Sequence, residues 1–159
     1  MKEQLFNAIR QENLSEVEKL LEGSPELVCT KDARGSTPLL LATYYGLYDV
    51  SEIILKHPQN VDAQDASGNT ALMGVCFKGF DNLVKLLLEH GANPNMQNFN
   101  GATALIFATT FGRKGIAQLL LDKDADNSIK DDRGLMAADH AKMQGNREMV
   151  ELLEKKKDV

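Results

Sequence analysis

Apolar and polar positions recur along this chain with one fixed period. Paired aliphatic residues keep that period at Ile53-Ile54, Leu86-Leu87, Leu119-Leu120 and Leu152-Leu153. Two sets of glycines keep it as well, at Gly35, Gly68, Gly101 and Gly134 and at Gly46, Gly79, Gly112 and Gly145. A fixed period of roughly 20–50 residues is the mark of a repeat array, so the chain consists of copies of one structural unit.

One copy, residues 65–97, predicts two short helices separated by a glycine. Thr70 offers an N-cap oxygen to the first helix, and Gly79 ends that helix. The second segment carries an apolar stripe at Leu83, Leu86 and Leu87. Gly91 suits a left-handed C-cap after it. Because isolated helices this short are marginal in water, the units must stack and cover one another's apolar stripes.

Each copy opens on a tight-turn sequence such as Asp65-Ala-Ser-Gly68, where Asp bonds nearby backbone and Gly supplies a positive φ. The motif D-x-x-G-x-T-P-L-x-x-A-x-x-x-G, its regular recurrence and the sequence L-L-x-x-G-A resemble the ankyrin repeat. This resemblance covers essentially the whole chain. It implies an all-α fold, an ankyrin-repeat solenoid of stacked helix-turn-helix units with hairpin-like loops.

We expect a single ankyrin-repeat domain over residues 1–159. Its units are 1–31 (N-terminal cap), 32–64, 65–97, 98–130 and 131–159 (C-terminal cap). The first unit lacks the turn, and Met136 replaces the N-cap Thr in the last, whose first helix should therefore start less firmly. Asp124 stands where the C-cap Gly is usual. The lysines at 155–157 suit the C-terminal end of the last helix.

One departure from the family pattern concerns the junctions between units. The His that follows T-P-L in the family is replaced here by Leu40, Met73, Ile106 and Asp139. In the family that His bonds backbone between units. The resemblance thus implies that this chain holds its junctions by apolar packing.

Charge and hydropathy narrow the possible partners. The net charge is −5, and no unit is strongly basic, so nucleic acid is not expected as a partner. No apolar run is long enough to cross a membrane. Charges interrupt each short apolar run near the start, unlike a secretory signal, so we expect a cytoplasmic protein.

The sequence offers no recognisable catalytic or metal-binding constellation. Cys29 and Cys76 lie in different units, and we expect two reduced, unpaired thiols. His57 and His90 occupy equivalent positions of adjacent units, but together they would still supply only two metal ligands. His140 lies by itself in the last unit. No nucleophile motif or phosphate-binding loop is present, so we expect neither an enzyme nor a cofactor.

A stripe of aromatic residues is the feature that folding leaves unexplained. By helical spacing the exposed face of the first helix in unit two carries Leu41, Tyr44, Tyr45 and Tyr48. The next two units carry Gly74, Phe77, Phe107 and Phe111 in the same register, and the turn tips add Arg34, Phe99, Asn100 and Arg133. Exposed apolar patches mark binding sites, and Tyr and Phe are enriched in interface cores. We expect a partner-binding surface here.

Gly74 leaves two interpretations open. A glycine inside a helix costs ~1 kcal/mol relative to Ala, so the position should admit something close. That group is either Phe107, leaning in from the next unit, or a side chain of a partner. We favour the internal position for Phe107. Likewise, Tyr48 could pack under the next loop rather than face a partner.

The leading functional hypothesis is a monomeric, non-catalytic module that binds another protein across the inner face of units two to four. The resemblance implies this mode of action, and small stand-alone members act as accessory, inhibitor or immunity-type proteins. One alternative is a structural, self-associating scaffold. Another is a binder of small ligands, or an enzyme, with a pocket at Gly74.

Overall fold

The computed structural model describes residues 1–155, and this part of the chain contains ten α-helices, one short 3-10 helix and no strand. The inner helices are α1 (Lys2–Arg10), α3 (Pro38–Tyr44), α5 (Ala71–Lys78), α7 (Ala104–Thr110) and α9 (Ala137–Met143). The outer helices are α2 (Leu14–Gly23), α4 (Tyr48–Leu55), α6 (Asp81–Glu89), α8 (Lys114–Asp122) and α10 (Arg147–Glu154). The predicted all-α fold is confirmed. Most of the lysine run at 155–157 lies outside the described residues.

The two rows of helices stack in sequence order. Each inner helix packs on the next inner helix, each outer helix on the next outer helix, and the pair within a unit packs together. A column of aliphatic side chains, one from the same position of each unit, runs through the core. Its members are no more than 2% exposed: Leu21, Ile54, Leu87, Leu120 and Leu153. Every unit therefore buries its apolar stripe partly against a neighbour.

Threonine hydroxyls cap the N-terminal ends of three inner helices, as predicted. Thr37, Thr70 and Thr103 each accept a hydrogen bond of 3.2 Å from the backbone N–H three residues later. Helix α9 begins without a hydroxyl. There the Asp139 carboxylate accepts a hydrogen bond of 2.9 Å from the Met136 N–H. In a capping box this is the bond that the third helical residue makes back to the N-cap backbone.

Hairpin-like turns precede the inner helices of the last four units. In the turn of unit three, Asp65 N–H donates to Asn69 O, and Asp65 Oδ1 accepts from the Ser67 and Asn69 N–H groups, all at 2.9 Å. Asp32, Asn98 and Asp131 repeat the pattern. The Asn that replaces Asp in unit four therefore loses no hydrogen bond within its turn.

Two glycines and one aspartate adopt the left-handed backbone that their positions require. Gly91 has φ +83° and Asp124 has φ +64°, which confirms the expected conformation at both C-terminal helix ends. Gly68 has φ +81°, and a Cβ there would lie 2.7 Å from the backbone N of Phe99. Only glycine lets the turn tip of unit four approach so closely.

The expectation that apolar packing holds the junctions was incomplete. Leu40, Met73 and Ile106 are buried, but glutamine side chains also connect the units. Gln64 Nε2 donates to Gly68 O at 2.7 Å and to Gln97 O at 3.0 Å. Gln97 Nε2 donates in the same way to Gly101 O and Lys130 O. Each glutamine side chain therefore donates to one carbonyl in the turn that follows it and to a second carbonyl at the end of the next unit.

The expectation that His140 lies by itself was wrong. Its ring Nε2 lies 2.7 Å from Asp131 Oδ2, and the Asp131 side chain is only 8% exposed. Burial alone would raise the pKa of Asp131. Hydrogen bonds from the Leu135 N–H, the His140 ring and the Arg133 N–H, with the charge of His140, instead hold that pKa below its usual value.

Truncation of the buried column is expected to cost most in the middle of the stack. Leu87→Ala should lower the free energy of unfolding by ~2–5 kcal/mol, since it leaves a cavity between units that are covered on both sides. Leu153→Ala should cost less, because the terminal unit has one neighbour and can open locally. Urea unfolding measures both losses. Equal losses at the two sites would contradict this one-dimensional description.

The low pKa of Asp131 predicts a pH-dependent contribution to stability. The ionised Asp131 stabilises the folded state above about pH 4, the ordinary pKa of Asp. This stabilisation is lost as pH falls through the lower pKa that Asp131 has in the folded protein. Asp131→Asn keeps the Oδ1 acceptor, as Asn98 does, but not the charge. Its Tm should lie below that of the parent near pH 6 and converge with it near pH 2. A difference in Tm that stays constant with pH would refute the assignment.

Candidate protein-binding groove

A groove of about 850 Å³ lies along the inner helices of units two to four and the turn tips of units two and three. Helix α3 contributes Leu41 and Tyr44, helix α5 contributes Gly74 and Phe77, and helix α7 contributes Phe107. Tyr45 and Phe111, at the C-caps of α3 and α7, complete its apolar lining. We call this feature the aromatic groove.

Four rings of the aromatic groove are exposed although they are held in defined contacts. Tyr44 is 46% exposed, Tyr45 56%, Phe77 37% and Phe111 45%. The Tyr44 and Tyr45 rings meet edge to face with centroids 5.4 Å apart, and the Phe77 and Phe111 rings do so at 4.6 Å. The Lys78 ammonium lies 4.4 Å from the centroid of Tyr44. The rings are therefore positioned before any partner arrives.

The local sequence explains why these rings face outward. Thr37 fixes the first residue of α3, so Leu39, Ala42 and Thr43 fall on the buried side. Tyr44 is the last residue of that helix and Tyr45 its C-cap. The buried positions of the unit are already occupied by smaller side chains. The aromatic rings at its end are thus not needed to fill the core.

Gly74 lines the aromatic groove and leaves open space beside its Cα. A Cβ at this position would meet no atom within 4 Å beyond its own local backbone. Phe107 is half-buried and packs against the core. It does not fill the space beside Gly74, however, so the predicted close approach was wrong.

The placement of Tyr48 on the inner face was also wrong. Gly46, with φ +72°, follows the end of the first helix, and Tyr48 begins the outer helix α4. Its half-buried side chain packs against the core. Helical spacing cannot be continued across a left-handed glycine, and that glycine is the signal in the sequence that corrects the register.

The predicted turn-tip residues divide into two groups. Arg34 lines the aromatic groove. Phe99, Asn100 and Arg133 lie at the turns of units four and five and do not line it. Phe99 is 66% exposed and its backbone N–H donates to Ser67 O at 3.1 Å, while Asn100 O accepts from the Asp132 N–H. These residues extend the surface along the tips.

The charged residues of the groove include Arg10, which sequence reasoning missed because it comes from unit one. Its guanidinium lies 3.6 Å from Asp32 Oδ2. The other acidic lining residue, Asp65, accepts two backbone N–H groups within its turn. No described residue forms a hydrogen bond or ion pair with the Arg34 guanidinium.

The cysteines confirm the prediction that they do not pair. Both are free thiols: Cys29 is exposed at the end of a 3-10 helix (Pro25–Cys29), and Cys76 is buried in α5. Burial, with a smaller effect of the Asp81 charge, raises the pKa of the Cys76 thiol far above its usual value. A nucleophilic thiolate is therefore strongly disfavoured at Cys76.

Two further properties of residues 1–155 bear on the type of site. This range contains no group of three or more His, Cys, Asp or Glu residues that could hold a metal ion. Among its helices, none is long and apolar enough to traverse a bilayer. The aromatic groove is the candidate site considered for this part of the chain because it is lined by exposed aromatic rings.

Comparison with known proteins identifies the family to which this fold belongs. A family model described as "Ankyrin repeats (3 copies)" matches residues 5–98, 49–131 and 75–159. The comparison with curated proteins gave no match. Ankyrin repeats are generally protein–protein interaction modules, and the family is typically non-catalytic. Because the matches extend over nearly the whole sequence, this chain belongs to the ankyrin-repeat family.

Proposed function

We propose that this protein is a non-catalytic interaction module that binds one protein partner through the aromatic groove. The observation that carries the proposal is the exposure of four rings that line one groove, Tyr44, Tyr45, Phe77 and Phe111, and that lie outside the buried core. Aromatic side chains exposed together on a scaffold of buried helices are typical of binding surfaces.

The area of the exposed rings supports a protein as the ligand. Each aromatic side chain can bury ~150–250 Å². Four of them supply a large part of the ~800 Å² that each partner buries in an interface of standard size. The edge-to-face pairs also limit the side-chain entropy lost on binding, since their rings are already held in place.

The lining of the groove supports a role without chemistry. Catalysis needs acids or bases with perturbed pKa values that face a pocket. Within residues 1–155 the lining includes no His, Cys or Glu, and its two aspartates accept backbone hydrogen bonds in their turns. Binding alone is the activity that such a surface performs best.

We further propose a monomer in the cytoplasm that acts as an accessory, inhibitor or immunity-type protein. Two unpaired cysteines suit a reducing compartment. Charged residues such as Glu16, Glu18 and Lys19 on α2 suit a terminal unit that faces water. Light scattering at several concentrations tests this proposal. A mass that rises with concentration would favour a self-associating scaffold.

Truncation of the rings is expected to remove partner binding. Tyr45→Ala or Phe77→Ala should each weaken the complex, with a loss of ~2 kcal/mol or more at the better site, because binding energy concentrates in a few buried aromatic residues. The partner is first recovered by affinity pull-down with mass spectrometry. Its affinity for each variant is then measured by titration calorimetry.

Outer-face variants provide the matched control. Lys85→Ala and Glu89→Ala change charged residues of helix α6, on the opposite side of unit three from the groove. Both should bind the partner as the parent does, and circular dichroism should show that all four variants are folded. If the outer variants lose binding while Tyr45→Ala and Phe77→Ala retain it, the proposed surface is wrong.

A further inference from the structure

We infer that the partner presents an amphipathic α-helix of roughly 16–20 residues, which lies along the stack with its apolar stripe against five exposed side chains. These five side chains come from four consecutive units: Tyr44, Tyr45, Phe77, Phe111 and Met143. We call them the exposed row. The inference rests on the proposed function and specifies the shape and chemistry of the partner's contact segment.

The exposed row follows the C-terminal ends of the inner helices. Tyr44 and Met143 are the last residues of α3 and α9, Phe77 is next to the last residue of α5, and Tyr45 and Phe111 are the C-caps of α3 and α7. Together they occupy only two adjacent register positions of the repeat. Eight large apolar side chains are exposed within residues 1–155, and five of the eight lie at these two positions. Exposed apolar side chains are thus concentrated on one line rather than scattered over the surface.

One contact, repeated between successive units, makes this line continuous. The Lys78 ammonium lies 4.4 Å from the ring centroid of Tyr44, and the two phenylalanine rings of the row meet at 4.6 Å. Gln144 Nε2 donates to Thr110 O at 2.8 Å. In all three contacts the second register position of one unit reaches back to the first position of the unit before it. The contacts therefore link units two to five, one unit beyond the aromatic groove.

The length of the exposed row suits a helix of moderate size. Packed neighbouring helices lie roughly 8–10 Å apart, so a row across four units spans roughly 24–30 Å. At 1.5 Å per residue, an α-helix of roughly 16–20 residues covers that distance. Because its apolar residues recur at i, i+3, i+4 and i+7, one stripe meets the side chains of each unit in turn.

A helix also satisfies its own backbone on this surface, whereas an extended segment does not. Tyr44 and Tyr45 carry hydroxyls at one end of the row, but Phe77, Phe111 and Met143 offer no strong hydrogen-bonding group. Residues 1–155 contain no strand to whose edge an extended partner could add. Because peptide groups buried without partners are costly, the row favours a segment whose N–H and C=O groups are paired internally.

Two carbonyls at the helix ends beside the row are already engaged. Arg113 Nη2 donates to Phe77 O at 3.1 Å, and Thr110 O accepts from Gln144. Such terminal carbonyls have no partner within their own helix and are the groups that an incoming N–H would otherwise use. Their engagement further disfavours a ligand that needs hydrogen bonds from this surface.

The absence of tryptophan from this chain gives a direct assay. The probe is a peptide of about 18 residues with Leu at heptad positions a and d and Trp at one central d position. Glu and Lys in equal number fill the other positions, so the peptide has no net charge. Its Trp emission is followed on titration with the full chain. We expect a saturable blue shift, and difference circular dichroism should show a gain of helix on binding.

Two control peptides separate a helix from other apolar ligands. A peptide of the same composition in scrambled order loses the apolar stripe, and Pro at a central polar position breaks the helix while keeping the stripe. Each should bind at least about tenfold more weakly. Equal affinity for the Pro peptide would indicate an extended ligand and would overturn the inference. Equal affinity for the scrambled peptide, or no saturable shift up to ~1 mM protein, would overturn it as well.

Met143 tests the part of the exposed row that lies outside the aromatic groove. Its side chain is 63% exposed, so Met143→Asp leaves the core intact. We expect this variant to lower peptide affinity at least about fivefold, because the helix would cover an unpaired carboxylate. Gln118→Asp adds the same charge to the outer helix α8 and should leave affinity unchanged. Full affinity in folded Met143→Asp, or a dimer that Met143→Asp dissociates in light scattering, would overturn the inference.

The partner recovered by pull-down distinguishes the two levels of proposal. If Tyr45→Ala and Phe77→Ala weaken that complex while Met143→Asp does not, the interaction surface stands and the helix along the row is refuted. If none of the three folded variants weakens it, the proposed function itself fails. Loss of binding in Met143→Asp alone would refute both. If all three weaken it, and Pro within the partner's contact segment does so too, both are supported.

Discussion

The constraint on which this structure depends is that no unit can bury its own apolar stripe. Each inner and outer helix is only seven to ten residues long, too short to persist alone in water. Burial is completed between units, by the column that runs from Leu21 to Leu153 with one member in each unit. Turn geometry, helix caps and left-handed glycines all serve to bring the next copy into this register.

Because burial is completed between units, some residues of the inner helices remain exposed and could form a binding surface. Core packing buries most of helices α3 and α7, whereas residues at their C-terminal ends, such as Tyr44 and Phe111, remain exposed. The groove can carry aromatic rings, and even a helical glycine, without disturbing the stack. The exposed rings of the proposed binding surface and the buried core residues therefore occupy different positions at or beside the same short helices.

Much of the fold follows from the sequence because its determinants are local and recur. The threonine caps, the aspartate turns and the left-handed Gly91 and Asp124 were all predictable from one unit. The errors concern how helices and turns lie relative to one another, within a unit as well as between units. Tyr48 was predicted on the inner face, but the first helix of unit two ends before it. The open space at Gly74 depends on where Phe107 packs. The contact between Asp131 and His140 joins a turn to a helix. Periodicity in one dimension does not contain these distances.

The glutamine connections at the junctions bear on how such a chain changes length. Gln64 bonds Gly68 of the turn that follows it and Gln97 of the next unit, and Gln97 bonds Gly101 and Lys130 in the same way. In this contact the two junctions are chemically equivalent. Excision of residues 65–97 would place Gln64 before the turn that Gln97 now serves, and tandem duplication would recreate the same glutamine contact. Loss or gain of that unit would keep the glutamine hydrogen bonds, whereas the Asn98–Asn69 and Arg113–Phe77 hydrogen bonds belong to one junction alone.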